Sequence, residues 1–227
     1  MIRPEAIIFD MDGVLIDSEP IHIEIERKLF NKLGVEVSAE IHKTYLGTAG
    51  DFMYSDLKRR FGLTQSLEEL LVFDDLFRCE YFKSLDNLKP NIGVTELLGE
   101  LRQSGLKLAV ATSSTPELAG IILNRCKIHS YFDVVVTTTE AGKSKPAPDV
   151  YLLAANMTGV PPDECVVFED SPNGLAAGKS AGMFCIGVIT DSVNITELSS
   201  ADCIIKSFDR LTLPQIVEMV SVFSIKK

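Results

Sequence analysis

Residues 6–19 read AIIFDMDGVLIDSE, and they decide the fold. Ala6 to Phe9 is a four-residue apolar run that belongs inside a protein, yet it ends at Asp10, Met11, Asp12 and Gly13. A short continuous apolar run of this kind reads as a strand buried on both faces, as in a parallel sheet. The same grammar recurs from about Gly105 onward, in LKLAVATSS (106–114), DVVVTT (133–138), ECVVFED (164–170), FCIGVI (184–189) and DCIIKSF (202–208). Helical segments are expected between and after them, near 117–126, 149–158, 173–181 and 213–223. Strands alternating with helices predict an α/β protein with a doubly wound parallel sheet, a Rossmann-like core.

One interval breaks the rhythm. More than ninety residues separate the strand at 6–10 from the strand near 106, whereas a simple βαβ crossover takes roughly thirty residues in all. The interval is helical in pattern: Ile21, Ile25, Leu29 and Leu33 recur at helical spacing, with Gly34 as a stop. Leu57, Phe61, Leu67, Leu70, Leu71, Phe73, Leu76 and Phe77 indicate further helices. The sequence therefore predicts a core of residues 1–16 and 89–227, with an inserted all-helical cap domain at 17–88.

The whole chain fits this picture. Its 227 residues are 46% hydrophobic and 24% charged, with a net charge of -10. That balance argues against nonspecific binding to nucleic acid or an anionic membrane. The N-terminal apolar run is too short for a signal peptide or a membrane span. Five cysteines, Cys79, Cys126, Cys165, Cys185 and Cys203, lie far apart without a CxxC pair, which reads as buried reduced thiols in a cytoplasmic protein. A monomer is the default expectation.

In open parallel sheets, ligands bind beyond the carboxyl ends of the strands. Those ends here carry Asp10 and Asp12, then Thr112, Ser113 and Ser114, then Lys143 and Lys145 in GKSKPAPD (142–149), then Glu169 and Asp170. Clustered carboxylates need a cation, and oxygen-only ligands favour a hard one such as Mg2+. Lysine and hydroxyls opposite it suit a dianion such as a phosphate monoester. An aspartate can attack phosphorus to give an aspartyl-phosphate, and a second acid can protonate the leaving alcohol and then activate water. Gly13 is expected to turn the backbone sharply and present amides to the anion.

DMDGVLIDSE, ATSS, GKSKPAPD and VVFEDSPNGLAAGKSAGM together resemble the haloacid dehalogenase-like phosphohydrolases across essentially the whole chain. The branch with a helical cap after the first motif, which includes β-phosphoglucomutases and small-metabolite phosphatases, is the nearest in pattern. The resemblance implies Asp10 as nucleophile and Asp12 as acid/base, its backbone carbonyl also meeting metal. It implies Thr112 or Ser113, with Lys145, as the phosphoryl-binding residues. Asp170 would complete a Mg2+ site with Asp10 and Asp12, Glu169 helping directly or through water. The name-giving dehalogenases lack the second aspartate, so Asp12 argues against dehalogenation.

Two departures bear on the activity. Ser144 stands where glycine is usual before the motif lysine, which leaves Lys143 as an alternative to Lys145. β-Phosphoglucomutases bind a second phosphate through basic residues around a cap glycine, but KTYLGTAGDF (43–52) has Leu46 before that glycine. This favours hydrolysis of a small phosphorylated metabolite. His22 falls where those mutases carry a cap-hinge histidine and keeps a phosphosugar mutase as the alternative. Glu19, His22 and Arg78 are the candidates for reading the substrate. A receiver-like signalling domain is disfavoured by Asp12 and by the long helical insertion.

Overall fold

The run at residues 6–9 becomes the central strand of a six-stranded parallel sheet in the computed structural model, which describes residues 4–45, 48, 50–190, 193 and 195–224. The strands are β1 (Ala6–Phe9), β2 (Lys107–Thr112), β3 (Val134–Thr137), β4 (Cys165–Glu169), β5 (Phe184–Val188) and β6 (Cys203–Ile205). Their spatial order is β3-β2-β1-β4-β5-β6. The strand order reverses at β1 and β4, which opens a crevice at their carboxyl ends.

Alternation of side chains along β1 and β4 sets what lies on each face. Ala6 and Ile8 join Cys165 and Val167 in a cluster with Ala109, Ala111, Val150, Tyr151 and Leu175. Ile7 and Phe9 point the other way, where Phe9 stacks on Phe168 at 5.2 Å and Phe168 meets Phe208 at 5.2 Å. Because Phe9 is paired with Val110 and Phe168, the residues just past β1 and at the end of β4 arrive side by side.

The helices expected between strands are α6 (Pro116–Arg125), α8 (Asp149–Thr158) and α9 (Pro172–Ser180), and α10 (Leu213–Ser224) follows β6. Thr115 caps α6 and Ser171 caps α9 through their side-chain oxygens. The helix after the two prolines begins at Asp149 itself, with Pro148 at the cap position. Among the described residues of the core, two α-helices lie outside the expected set: α5 (Val94–Gln103) and the short α7 (Thr138–Ala141). The first has a clear helical stripe, since Val94, Leu97, Leu98 and Leu101 are its buried residues.

The chain divides into two compact units, Met1–Glu19 with Asn87–Lys227, and Pro20–Asp86. The inserted interval contains α1 (Glu19–Lys32), α2 (Ala39–Lys43), α3 (Gly50–Phe61) and α4 (Leu67–Ser84). It has its own apolar centre, in which Phe30, Val35, Tyr45, Met53, Tyr54, Leu57 and Leu70 are buried. Ser66 and Glu69 form a reciprocal capping box that starts α4. Leu46 and Gly47, on which the reading of KTYLGTAGDF turned, lie outside the described residues. Among the described residues, no helix is long and apolar enough to cross a membrane.

Candidate active site

The site is built on one face of the sheet. Ala6, Ile8 and Asp10 follow one parity, as do Cys165, Val167 and Glu169, so both carboxylates emerge on the side covered by α8. The Asp10 amide continues the ladder by donating to the Phe168 carbonyl at 2.9 Å. Carboxylate oxygens of Asp10, Glu169 and Asp170 then lie within 4.8 Å of one another.

Lys145 is what binds two of them together. Its ammonium donates to Asp10 Oδ1 and to Glu169 Oε1, each at 2.6 Å, and to the Ala111 carbonyl at 3.2 Å. An ammonium has three donors, and all three are used. The Lys145 side chain is 7% exposed, whereas Lys143 is exposed. Burial alone would favour the neutral amine, but Asp10 and Glu169 outweigh it and hold the Lys145 pKa above its ordinary value.

Glu169 is held on four sides. Oε1 accepts from Lys145 and from the Tyr151 hydroxyl at 3.0 Å, while Oε2 accepts from the Ser171 amide at 2.9 Å and hydroxyl at 3.0 Å. A methyl group at Gly174 would stand 1.6 Å from Glu169 Oε1, so only glycine leaves room for this carboxylate at the start of α9. Tyr151 also lies beneath the Lys145 ammonium, 4.9 Å from ring centroid to Nζ.

Asp12 sits in a different environment from Asp10. Ser18 donates to its Oδ1 at 2.6 Å and Ser114 to its Oδ2 at 3.0 Å. Thr112, fully buried at the end of β2, accepts from the Ser114 amide at 3.0 Å. That bond uses the Thr112 oxygen as acceptor and leaves its O–H to donate. Ser113 beside it is exposed. The expectation for Gly13 needs correction in one respect. Its φ is +79°, as a sharp turn requires, but its amide donates to the Ile16 carbonyl at 2.8 Å rather than facing an anion. The glycine is needed for space too: a Cβ there would stand 1.9 Å from Asp170 Oδ2.

The electrostatics show a shortage of positive charge. Burial pushes the Asp10 carboxyl up to about 7, Lys145 opposing and Glu169 and Asp12 adding to the rise. Burial, then Asp10 and Glu169, push Asp170 up to about 9. Lys145 thus bonds two of three crowded carboxylates, and a further cation would relieve the remaining repulsion. The donors are all oxygens and Gly13 clears the space beside Asp170, so these residues fit a hard divalent ion.

Of the candidates Glu19, His22 and Arg78, the last two lie apart in sequence but meet within the insertion. Arg78 donates to His22 Nδ1 at 2.8 Å, to Asp74 at 2.7 Å and to Glu26 at 3.3 Å. Since a guanidinium can only donate, His22 must accept at Nδ1 and carry its proton on Nε2. Glu26 also meets His42 Nε2 at 2.7 Å, and Tyr54 donates to Asp74 at 2.9 Å. Glu19 opens α1 with its charge in the first turn.

Ser18 and Tyr151 are not singled out by the sequence, and Ser114 stands there among the strand-end hydroxyls without a role of its own. The available signal was chemical: a tyrosine on a buried helical stripe needs a partner for its hydroxyl. Comparison with known proteins places this geometry in context. The family profile described as haloacid dehalogenase-like hydrolase matches residues 7–188. A phosphorylated carbohydrates phosphatase of Thermotoga maritima is 36% identical over 200 residues, covering 84% of this chain and 87% of that protein. CbbY from Rhodobacter sphaeroides, a mutant solved with xylulose-(1,5)bisphosphate, superposes with a TM-score of 0.81 at 28% identity, covering 93% of this chain and 98% of its own. A β-phosphoglucomutase from Clostridium difficile superposes with a TM-score of 0.82 at 25% identity, covering 98% and 99%.

Proposed function

This chain belongs to the haloacid dehalogenase-like hydrolase family, and we propose that it is a Mg2+-dependent phosphatase acting on a small phosphorylated metabolite, such as a sugar phosphate, through a phospho-Asp10 intermediate. It is a phosphoric monoester hydrolase, in keeping with the phosphatase among its relatives. The observation that carries the mechanism is the separation of two carboxylates one residue apart. Asp10 is held by an ammonium and Asp12 by two hydroxyls. Carboxylates in contrasting environments are suited to different roles.

Asp10 attacks phosphorus as the ester P–O bond breaks, and the departing oxygen takes a proton from Asp12. Asp12, now ionised, takes a proton from water, whose oxygen attacks phosphorus and displaces Asp10, giving inorganic phosphate. Ser18 and Ser114 fix where the Asp12 proton is offered. Thr112 and Ser113 hold the phosphoryl oxygens, joined by Lys145 as it turns one donor from Asp10 Oδ1 to the phosphoryl group, while its bond to Glu169 keeps it in place. Mg2+ on Asp10, Asp170 and the Asp12 carbonyl, with Glu169 reaching it directly or through water, would supply neutralising charge for the phosphoryl group. Glu19 and His22 are proposed as substrate-reading groups, Arg78 serving to hold His22 as an Nε2 donor. All five cysteines are free thiols, and we place the protein in the cytoplasm, where thiols stay reduced.

The likeness to a β-phosphoglucomutase supports a second reading, in which phospho-Asp10 returns its phosphoryl group to a sugar. Product analysis separates the two. Hydrolysis predicts inorganic phosphate from a panel of sugar phosphates, without isomerisation of glucose 1-phosphate in the presence of a bisphosphate primer. Isomerised sugar phosphate without net phosphate release would establish the mutase instead.

The crowded carboxylates also predict how Mg2+ affects stability. The folded pKa values of Asp10 and Asp170 lie above their ordinary value. Their contribution to stability is therefore present at low pH and lost as pH rises through those values. Metal competes with protons for the same oxygens, so Mg2+ should raise the melting temperature more at about pH 8 than at about pH 6. Equal shifts at both pH values would remove Asp10 and Asp170 from the metal site.

A further inference from the structure

We propose that Asn91 is a positioning residue for Asp12, acting by clamping the loop that carries it. The inference rests on the acid/base role given to Asp12 above. Asn91 lies where the chain has returned from the insertion, and it faces the loop by which the chain leaves. Its side-chain amide donates to the Gly13 carbonyl at 3.0 Å and to the Val14 carbonyl at 2.8 Å. Its backbone amide donates to the Leu15 carbonyl at 2.9 Å. One residue thus satisfies three successive carbonyls of a segment more than seventy positions away in sequence.

The chemistry leaves no choice of residue orientation. Both side-chain partners are carbonyls, which only accept, so the amide must present its NH2 and both of its hydrogens are consumed. Val14 and Leu15 are fully buried, and buried carbonyls left unpaired are costly. Three amides of the same loop are satisfied within it. Gly13 donates to the Ile16 carbonyl at 2.8 Å, and Leu15 and Ile16 donate to the Met11 carbonyl at 2.9 and 3.3 Å. Those amides bond within the loop, whereas the carbonyls of Gly13, Val14 and Leu15 take their three donors from Asn91.

This clamp connects to the acid/base group. The Ser18 amide donates to the Ile16 carbonyl at 3.1 Å, and the Ser18 hydroxyl donates to Asp12 Oδ1 at 2.6 Å. Asp12 and Ile16 also form a backbone bridge across the loop. Loosening residues 13–15 would shift Ser18 and Asp12 together, while Asp10 stays registered by the sheet through Phe168. The clamp should therefore affect proton delivery more than nucleophilic attack.

Leaving groups test this. Benzyl phosphate expels an alkoxide that needs a proton, whereas 4-nitrophenyl phosphate expels a stable phenolate. In Asn91→Ala and Asn91→Asp, kcat/KM for benzyl phosphate should fall by about ten- to a hundredfold. For 4-nitrophenyl phosphate the loss should stay within about threefold, since little general-acid help is required. The ratio of the two is independent of the fraction of folded enzyme, so partial misfolding neither mimics nor hides it. Asp12→Asn serves as the reference and should show the same selectivity more strongly. Equal losses on both esters, or no loss, in the Asn91 variants while Asp12→Asn remains selective would overturn the role of Asn91 alone. A non-selective Asp12→Asn would overturn the acid/base assignment and the proposal with it.

Discussion

Asp10→Asn should abolish phosphate release, with kcat falling by roughly four orders of magnitude or more, because the amide cannot form the aspartyl-phosphate. The fold should survive. The parent carboxyl is raised to about 7 by burial, so its ionised form is disfavoured where it stands. A neutral isostere removes that penalty, and Lys145 keeps its bonds to Glu169 and to the Ala111 carbonyl. The melting temperature of the metal-free variant should therefore equal or exceed the parent's above neutral pH. Intact-mass measurement after mixing with substrate should show no covalent phosphate on the variant. Turnover within tenfold of the parent would overturn Asp10 as the nucleophile.

How far the sequence reaches can be judged from particular residues. The strands were legible because short runs such as AIIF and CVVFE are buried on both faces and need no further context. That Asp10, Glu169 and Asp170 gather at strand ends follows from the same reading, since parallel strands in register deliver their ends to one edge. The α5 helix has an equally plain period in Val94, Leu97, Leu98 and Leu101, but it adjoins the helical insertion, whose end helical periodicity alone does not mark. Tyr151 and Asn91 are harder in kind. Their partners lie 18 and more than seventy residues away, and only the folded loop shows which carbonyl or carboxylate they meet. Ser18 is six residues from Asp12, but the turn at Gly13 decides whether they can touch. The Gly13 amide shows the converse: its conformation was legible, its partner was not.

Lys145→Met should damage both stability and activity, and the reasons differ. The side chain is 7% exposed and the Glu169 carboxylate it bonds is 1% exposed, so the ion pair is shielded from water. Removing one partner of a buried pair strands the other charges at a cost of about 3–5 kcal/mol. That cost is pH-dependent. Without the ammonium, the buried Asp10 carboxyl loses the charge that opposes its rise, so its protonated form is favoured further and more stability is lost as pH rises. Melting curves should therefore diverge from the parent's with increasing pH, by on the order of ten degrees where the carboxylates are ionised. Turnover should fall by about a thousandfold, the upper range for loss of one preorganised charge at a reacting oxyanion. Lys145→Arg should restore little of either. A planar guanidinium is wider than an ammonium and must fit between Asp10, Glu169, the Ala111 carbonyl and the Tyr151 ring. If Lys145→Met melts like the parent across this pH range and keeps a tenth of its activity, the ammonium is neither the charge that holds the carboxylates together nor part of phosphoryl binding.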